Sequence, residues 1–356
     1  MARARAPYME WAKHRSAAAI DMAGSNLLAC TLEDLPGARD TVDLSGESPD
    51  GYPPLLDAIA ARYGLGSEHV ATAGGCSGAN FLAMAALIET GDDVLVESPG
   101  YDPLPAAASM LGARVVRFDR RFEEAYALDP GRILAALTPR TRLVVISNPH
   151  NPSGVVSSRE ELAELGRLAE RRGVLVLVDE VYLDVVRAEG PPPAATLSPA
   201  FVSTNSLTKA YGLSSLRCGW TLATREITER IRRARDVVDV SGPIPAERLA
   251  ALAFRNLTVL AERARQIVER NMALFEPFLA SRPEIESVPS RITIAFPRFR
   301  DGRDAEPFVR RLFVERGVAV VPGAFFDSLS HFRIALGGAP DSVHEGLAAI
   351  AALLEA

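Results

Sequence analysis

The chain has 356 residues, of which 48% are apolar and 24% charged, a balance typical of a globular protein with an ample core. Its 39 basic and 45 acidic residues give a net charge of −6, so we expect no nucleic-acid partner. The length allows two domains or one large one.

The cysteines and the least charged segments indicate the cellular location of the protein. The cysteines are odd in number and widely spaced, which fits neither a disulfide framework nor a metal site: Cys30, Cys76 and Cys218. Charge continues from the N-terminus to Arg15 with no apolar stretch after it, so no secretory signal is expected. The longest uncharged run, residues 190–208, contains four prolines and predicts no membrane span. We therefore expect a cytoplasmic protein without a metal or a membrane partner.

The first part of the chain is predicted to be an arm with little regular structure. One helix is expected over residues 8–19, followed by irregular chain rich in glycine and proline. A second helix is expected over 55–63, because apolar residues at helical spacing follow a pair of prolines.

A regular alternation of helices and strands follows. Helices are expected over 79–89 and 158–172, the second opening with a Ser158 cap and with Glu161 at capping-box spacing. Short, largely apolar runs predict strands at 93–97, 113–118, 143–147, 174–178 and 201–205. This alternation predicts an α/β fold with a mostly parallel sheet sandwiched by helices and right-handed crossovers.

The next strand, predicted over residues 218–223, should run in the opposite direction. Only about a dozen residues separate it from the preceding strand, which is short for a parallel crossover. An antiparallel return places Arg217, at the start of this strand, on the same edge of the sheet as Lys209.

The rest of the chain predicts a helical region and then a smaller α/β unit. The pattern is helical over 225–281, with an interruption at 241–245. The smaller unit has expected strands at 292–296, 318–321 and 332–336 and expected helices at 306–316 and 340–354.

These elements predict three parts of the chain. Residues 1–40 form an N-terminal arm that we count with the small domain. Residues 41–275 are expected to form the large domain, and residues 276–356 the small C-terminal domain.

Polar side chains follow several predicted strands at the point where each strand ends. In an open α/β sheet, ligands bind in the crevice beyond the carboxyl ends of the strands. The side chains there are an aromatic ring, an amide, a carboxylate, a phenol and an amine: Tyr101, Asn151, Asp179, Tyr182 and Lys209. A lysine at the end of a buried strand is costly unless it is neutral, paired or covalently bonded. We interpret Lys209 as a Schiff-base lysine and the set as a cofactor site.

Longer motifs around these residues carry a resemblance to a known family. They are SNPHNPSG at 147–154, VDEVY at 178–182, SLTK at 206–209 with Arg217, VVPG at 320–323 with Phe326, and FRIALG at 332–337. With them, the chain resembles the class I and II pyridoxal-phosphate-dependent aminotransferases, which share the fold of aspartate aminotransferase. The resemblance runs from about Gly51 to the C-terminus and implies the type I fold of pyridoxal-phosphate-dependent transferases.

The resemblance implies a role for each residue at the sheet edge. Lys209 would bind pyridoxal 5′-phosphate as a Schiff base and then move a proton between the substrate Cα and the cofactor. Asp179 would pair with the pyridine nitrogen and keep it protonated. Tyr182 and Asn151 would hydrogen-bond the ring's phenolate oxygen, and Tyr101 would stack on the ring. Taken alone, Asn151 before a proline is more typical of a turn, and an ordinary buried tyrosine is an alternative for Tyr101.

The same resemblance implies which residues bind the cofactor phosphate and which bind the substrate. The phosphate would be bound by backbone N–H groups at a helix start, a hydroxyl and a forked cation, contributed by Gly75, Cys76, Ser77, Ser206 and Arg217. Arg333 would hold the α-carboxylate of the substrate bidentately, together with Asn151. The backbone of Gly24 is expected to approach that carboxylate as well.

One departure from the family concerns the subunit contact. The family usually has a tyrosine, donated to the phosphate by the neighbouring subunit, at the position that Gly46 occupies in this chain. Leu56-Asp57 also replaces the usual Leu-Arg. A homodimer is still expected, although this chain lacks the tyrosine that makes the cross-subunit contact in the family.

The predicted activity is transfer of an amino group between an α-amino acid and a 2-oxo acid, in amino-acid metabolism and biosynthesis. Two alternatives remain open. The same site supports a lyase or cyclase that carries out β- or γ-elimination or replacement on an amino acid, and a regulator-like relative would bind the cofactor without turnover. Retention of Lys209, Asp179 and Arg333 argues against the regulator. The sequence does not identify the substrate amino acid.

Overall fold

The computed structural model describes residues 5–14, 18–186 and 190–356. Its strands, in chain order, are β1 Ile20–Asp21, β2 Val70–Gly74, β3 Asp93–Ser98, β4 Arg114–Asp119, β5 Thr141–Ser147, β6 Leu175–Asp179, β7 Phe201–Ser206, β8 Cys218–Leu222, β9 Ile285–Glu286, β10 Ile294–Ala295, β11 Arg298–Phe299, β12 Val318–Ala319, β13 Val321–Pro322 and β14 Phe332–Ala335.

The α-helices lie between and around these strands. They are α1 Pro7–His14, α2 Ala38–Thr41, α3 Pro53–Tyr63, α4 Gly75–Leu87, α5 Pro103–Met110, α6 Pro130–Ala136, α7 Arg159–Arg172, α8 Leu207–Tyr211, α9 Arg225–Val238, α10 Ile244–Arg255, α11 Leu257–Ala280, α12 Glu306–Arg316 and α13 Pro340–Leu354. Within the described ranges, no helix has both the length and the apolar character needed to cross a bilayer.

The largest sheet of the described chain has seven strands in the order β2-β8-β7-β6-β5-β3-β4. Strand β8 is antiparallel to both of its neighbours, and the remaining pairs are parallel. The pairing of Ser206 with Gly219 confirms the antiparallel return predicted from the short connection after β7. Helices flank this mostly parallel sheet, which confirms the predicted fold class.

Burial of both faces of the sheet explains why its central strands are apolar. Leu143 and Val145 of β5 share one core cluster with Leu82 of α4. Val144 and Ile146 of the same strand belong to a second cluster that includes residues of α7. Alternate side chains of a strand point to opposite faces, so each face of β5 is covered by a helix layer.

Several helix bounds follow the sequence patterns closely. Ser158 caps α7, and Glu161 completes a capping box with it, as predicted. Helices α12 and α13 have the predicted bounds, and the predicted interruption at 241–245 separates α9 from α10.

Other predictions were incomplete. Helix α1 ends at His14, so the prediction of helix was wrong for Ala18 and Ala19, while residues 15–17 lie outside the described chain. Helix α4 begins at Gly75, four residues before the predicted start at residue 79. Strand β2 and helices α5 and α6 had not been predicted.

The smaller unit incorporates the N-terminal segment. Strand β1 pairs in parallel with β12, with Ile20 opposite Val318. Strand β14 lies between β10 and β13 and is antiparallel to both. Met22 joins Phe275 and Phe332 in the core of this unit. The pairing brings the N-terminal segment towards the strand that carries Arg333.

Candidate active site

A cleft at the carboxyl ends of β5, β6 and β7 gathers most of the predicted site residues. It contains about 430 Å³ of space between atoms. Its lining is Ser25, Cys76, Ser77, Tyr101, Ser147, Asn151, Asp179, Val181, Tyr182 and Lys209. The remaining predicted residues lie outside this lining: Gly24, Gly75, Ser206, Arg217 and Arg333.

Lys209 reaches the cleft because helix α8 starts directly where β7 ends. The Oγ atom of Ser206 accepts a hydrogen bond of 3.3 Å from Thr208 N and so caps α8. The side-chain amine of Lys209 donates to Ser25 Oγ at 2.8 Å and to Asn26 Oδ1 at 2.6 Å. The lysine is therefore held by residues of the N-terminal segment, far away in the sequence.

Asp179 places its carboxylate in the cleft at the end of β6. Oδ2 accepts from Asn80 Nδ2 at 2.8 Å, and Oδ1 accepts from Val181 N at 3.1 Å and from Cys76 Sγ at 3.3 Å. Burial raises the pKa of the Asp179 carboxyl, and the hydrogen bonds from Asn80 and Val181 oppose the rise. A carboxylate has about four acceptor positions, so these three donors leave room for another.

Tyr182 supplies a phenol in the same cleft. Its side chain is buried, and its Oη atom has no hydrogen bond of acceptable geometry within the described ranges. Burial raises the pKa of Tyr182 to about 12, while Arg333 and Ser25 act in the opposite direction. The amine of Lys209 lies 5.9 Å from the centre of the Tyr182 ring.

Arg333 is fully buried in β14 and contacts the cleft through Asn151. Its Nη1 donates to Asn151 Oδ1 at 2.9 Å. Its Nη2 donates to Tyr8 Oη at 2.5 Å and to Ala23 O at 3.3 Å, while Nε has no partner within the described ranges. Asn151 is itself fixed by a hydrogen bond from its N–H to Ser147 Oγ at 3.0 Å.

Tyr101 lies at the boundary between the cleft and helix α1. Its ring meets the ring of Tyr8 edge-on, with centroids 6.0 Å apart, and its Oη lies 3.4 Å from Met9 Sδ. Asp102 accepts from Tyr8 N at 2.9 Å. These contacts attach α1 to the segment that carries Tyr101.

Four of the predicted phosphate residues lie at or beside the start of α4: Gly75, Cys76, Ser77 and Arg217. Arg217 Nη2 donates to Gly74 O at 3.1 Å. Gly75 has a φ of +77°, and a Cβ atom there would lie 2.3 Å from Arg217 Nη2. Gly75, Cys76 and Ser77 form the first turn of the helix, whose N–H groups have no partners within it.

Two glycines discussed in the sequence analysis, Gly24 and Gly46, have close neighbours in the structure. The N–H of Gly24 donates to Asp21 Oδ1 at 3.1 Å, so this donor is already engaged. Gly46 faces α10, and a Cβ atom there would lie 3.2 Å from Ile244 Cγ2. The Gly24 assignment stays a prediction.

Sequence reasoning missed several residues that contact the predicted ones. Ser25 and Asn26 lie in the irregular part of the arm, and Tyr8 lies in its predicted helix, where nothing in the sequence marks it as a site residue. Asn80 had a detectable signal, because it is a single amide in α4, whose other residues from Ala79 onwards are apolar. A polar residue in such a helix is expected to have a buried partner.

Comparisons with known proteins identify the family and the fold. The model of the aminotransferase class I and II family matches residues 32–350. Capreomycidine synthase from Streptomyces vinaceus is 34% identical over 301 residues, which cover 83% of this chain and 77% of that protein. Aspartate aminotransferase from Streptomyces avermitilis is 27% identical over 327 residues, which cover 85% of this chain and 80% of that protein.

Solved structures share the whole architecture. A pyridoxal-phosphate-dependent aminotransferase from Streptococcus suis superposes with a TM-score of 0.93 at 28% identity, covering 100% of this chain and 98% of that one. N-Succinyldiaminopimelate aminotransferase from Mycobacterium tuberculosis has the same fold, with a TM-score of 0.88 at 24% identity, covering 99% and 98% of the two chains.

The fold and the cleft thus define a pyridoxal-phosphate-dependent enzyme of fold type I. The chain belongs to the class I and II aminotransferase family, and its cofactor is pyridoxal 5′-phosphate. The cleft suits that cofactor, because Tyr182 Oη is buried without a hydrogen bond of acceptable geometry among the described residues. Asp179 also retains acceptor capacity for a pyridine N–H.

Proposed function

We propose that this protein is an aminotransferase that moves an amino group between an α-amino acid and a 2-oxo acid, with Lys209 bound to the cofactor as a Schiff base. The observation that carries the proposal is the convergence of the Lys209 amine and the Asp179 carboxylate in one cleft. Bound pyridoxal phosphate would supply a conjugated ring that accepts the electron pair left at the substrate Cα.

The chain's own residues would hold and tune that ring. Asp179 would accept the pyridine N–H, and burial of this carboxylate strengthens the interaction. Tyr182 and Asn151 would bind the ring oxygen, and Tyr101 would cover the ring. Lys209 would carry the proton to and from the substrate Cα.

The start of α4 would bind the phosphate. The unpaired N–H groups of Gly75, Cys76 and Ser77 favour an anion, and Arg217 adds a cation beside them. The lack of a side chain at Gly75 makes room for the Arg217 guanidinium. Ser206 Oγ would have to combine its capping bond with a phosphate contact.

Arg333 would bind the α-carboxylate of the substrate, with Asn151 beside it. Full burial of the guanidinium makes an incoming carboxylate a strong partner, because a buried charge gains more from pairing than an exposed one. We also propose that the Gly24 backbone lies near this carboxylate, although its N–H already donates to Asp21.

We further propose that the protein is a cytoplasmic homodimer that acts in amino-acid biosynthesis. Exposed apolar side chains at and after the end of α9 support a subunit contact: Val237, Val238 and Val240. The free cysteines fit a reducing compartment. Light scattering of the purified protein would give twice the mass of one chain.

A lyase or cyclase that uses the same residues is the second candidate. One observation favours it: the relative with 34% identity is named capreomycidine synthase and not an aminotransferase. Replacement of the family's usual tyrosine by Gly46 also alters a position close to where the family places the substrate side chain.

A panel of α-amino acids tests both candidates. An aminotransferase converts the visible absorbance of the lysine-bound cofactor into that of the amine form, and adding a 2-oxo acid reverses the change. A lyase instead releases ammonia or a side-chain fragment and regains its starting spectrum. Lys209→Ala is the control and should lack the lysine-bound absorbance. An unchanged spectrum in that variant would refute the site assignment.

A further inference from the structure

The amine of Lys209 is held by two side chains for which the family resemblance gave no role. Ser25 Oγ and Asn26 Oδ1 accept its hydrogen bonds at 2.8 and 2.6 Å. Ser25 is buried and lines the cleft, whereas Asn26 is exposed. Both residues lie in the segment after β1, whose backbone forms neither helix nor strand. The Ser25 side chain is only 7% exposed.

This segment, residues 22–30, is named here the strap. One side of the strap is attached to the small unit. Met22 N donates to Ala319 O at 2.8 Å, and Ala335 N donates to Met22 O at 2.7 Å. Further along, Leu28 N donates to Gly337 O at 2.6 Å. The small unit therefore fixes the strap both before and after Ser25 and Asn26.

The other side of the strap is attached to the residues that directly follow Lys209. Cys30 N donates to Gly212 O at 3.0 Å, and Cys30 Sγ lies 3.0 Å from Tyr211 O. A Cβ atom at Gly212 would lie 2.3 Å from Leu28 O, so the strap needs a glycine there to pack this closely. Ser25 and Asn26 are consequently fixed relative to the lysine.

The hydrogen-bonding capacity of an amine explains what this arrangement does. A neutral primary amine has two N–H bonds and one lone pair, arranged tetrahedrally. If Ser25 and Asn26 accept the two N–H bonds, the lone pair points away from both of them. The amine is then oriented to accept a proton from the other direction.

We propose that Ser25 and Asn26 are positioning residues that receive the Lys209 amine each time it is released from the cofactor and orient it for proton transfer. The proposal rests on the proposed function. The lone pair of the amine forms an N–H bond with the proton from the substrate Cα, whose C–H electron pair stays with the substrate and cofactor. The ammonium would then give this proton to the carbon of the cofactor that accepts it during amino transfer, where the electron pair forms the new C–H bond, and Ser25 and Asn26 neither gain nor lose a proton.

The strap also connects this amine to the substrate carboxylate. Ala23, two residues before Ser25, accepts from Arg333 Nη2 at 3.3 Å. One short segment thus contacts both Arg333, which would bind the α-carboxylate, and the Lys209 amine, which would take the Cα proton. Their separation is fixed by the backbone, which favours a productive alignment of the substrate.

Variants of the two acceptors test the proposal. Ser25→Ala, Asn26→Ala and the double variant remove them, and Ser25→Thr retains a hydroxyl. Leu28→Ala is the matched control, because Leu28 lies in the same strap with a side chain that is 40% exposed. Two measurements are made on the full chain. One is the rate at which cofactor-free protein gains visible absorbance with pyridoxal phosphate, and the other is kcat and KM for an amino acid with hydrogen or deuterium at Cα.

The double variant should load the cofactor about tenfold more slowly and reach the same final absorbance, because the amine is less well presented. Its kcat should fall about tenfold or more, with little change in KM. The kinetic isotope effect on kcat, measured with deuterium at Cα, should be larger than in the unmodified protein. Ser25→Thr should recover most of the rate lost in Ser25→Ala, and Leu28→Ala should match the unmodified protein.

Two results distinguish failure of this inference from failure of the proposed function. Unmodified protein that never gains the lysine-bound absorbance would refute both this inference and the proposed function. A double variant with normal loading and a normal deuterium effect would overturn this inference alone, as would equal losses in Leu28→Ala.

Discussion

Asn80 Nδ2 donates a hydrogen bond of 2.8 Å to Asp179 Oδ2, and both side chains are buried. Thr204 Oγ1 donates to Asn80 Oδ1 at 2.6 Å and fixes the orientation of the amide. The Asp179 carboxylate is therefore held by a residue of α4 that is itself held by β7. Because burial alone raises the pKa of this carboxyl, the amide donor helps to keep it ionised.

Replacing Asn80 should therefore weaken cofactor binding. In Asn80→Leu, a donor to a charged group is lost, which is worth about 1.5–3 kcal/mol, or roughly 10–100-fold in Kd for pyridoxal phosphate. The loss should be greatest at low pH, because Asp179 then protonates more readily. Absorbance titrations between about pH 6 and 9 would measure this. Asn256→Ala, on the other side of the sheet in the connection between α10 and α11, should bind normally, and an equal Kd in both variants would contradict the role.

Much of the fold follows from local pattern, because the central strands are apolar on both faces and some helices, such as α7, begin at a clear side-chain cap. The strand β5 and the helix α7 are examples. Strand β2 was missed because its sequence, VATAG, is short and rich in small residues. Its strand conformation depends on pairing with β8, which is distant in the sequence.

The site was predictable to the extent that its residues follow strand ends. Lys209 and Asp179 do so, and the structure places both in one cleft. Ser25 and Tyr8 do not, because the arm reaches the cleft through long-range contacts, such as the pairing of β1 with β12 and the hydrogen bond from Tyr8 N to Asp102. No local pattern in the sequence encodes that approach.

The proposed phosphate role of Arg217 predicts a selective loss. Arg217→Met removes a cation at the start of α4, and Kd for pyridoxal phosphate should rise roughly 10–100-fold. Pyridoxal, which lacks the phosphate, should bind both proteins with similar Kd. Absorbance titrations with the two ligands measure the difference. Similar losses for both ligands would indicate a structural effect and would contradict the phosphate contact.

The proposed carboxylate role of Arg333 predicts a change in KM. In Arg333→Lys the charge remains but the planar fork is lost, so KM for an amino acid should rise roughly 10–100-fold. Arg333→Ala should raise it further while the lysine-bound absorbance persists. The amine that corresponds to the amino acid, without its carboxylate, should react equally with all three proteins. Unchanged KM in both variants would remove Arg333 from this role.

His331 gives the small unit a dependence on pH. Its ring stacks on Phe296 with centroids 4.6 Å apart, and Nε2 lies 2.9 Å from Tyr126 Oη. Burial, together with a smaller contribution from Arg298, lowers the pKa of His331 from 6.5 to about 4. Glu123 and Glu286 act in the opposite direction.

The sign of the effect follows from proton uptake by the unfolded chain. Between about pH 6.5 and 4 the unfolded state binds a proton at His331 that the folded state does not. The free energy of unfolding should therefore fall as the pH falls through this window, by at most roughly 3 kcal/mol from this group. It should be unaffected by His331 above about pH 7.5.

A non-titrating variant isolates this contribution. In His331→Gln the free energy of unfolding should also fall with decreasing pH, but by less than in the unmodified protein. The difference should be at most roughly 3 kcal/mol. Urea unfolding at several pH values from about 4 to 8 measures both curves, and their difference cancels the titration of the buried carboxyls. Because Gln also changes the contact with Tyr126, a constant offset between the curves is expected. Parallel curves over the whole range would show that His331 has an ordinary pKa in the folded protein.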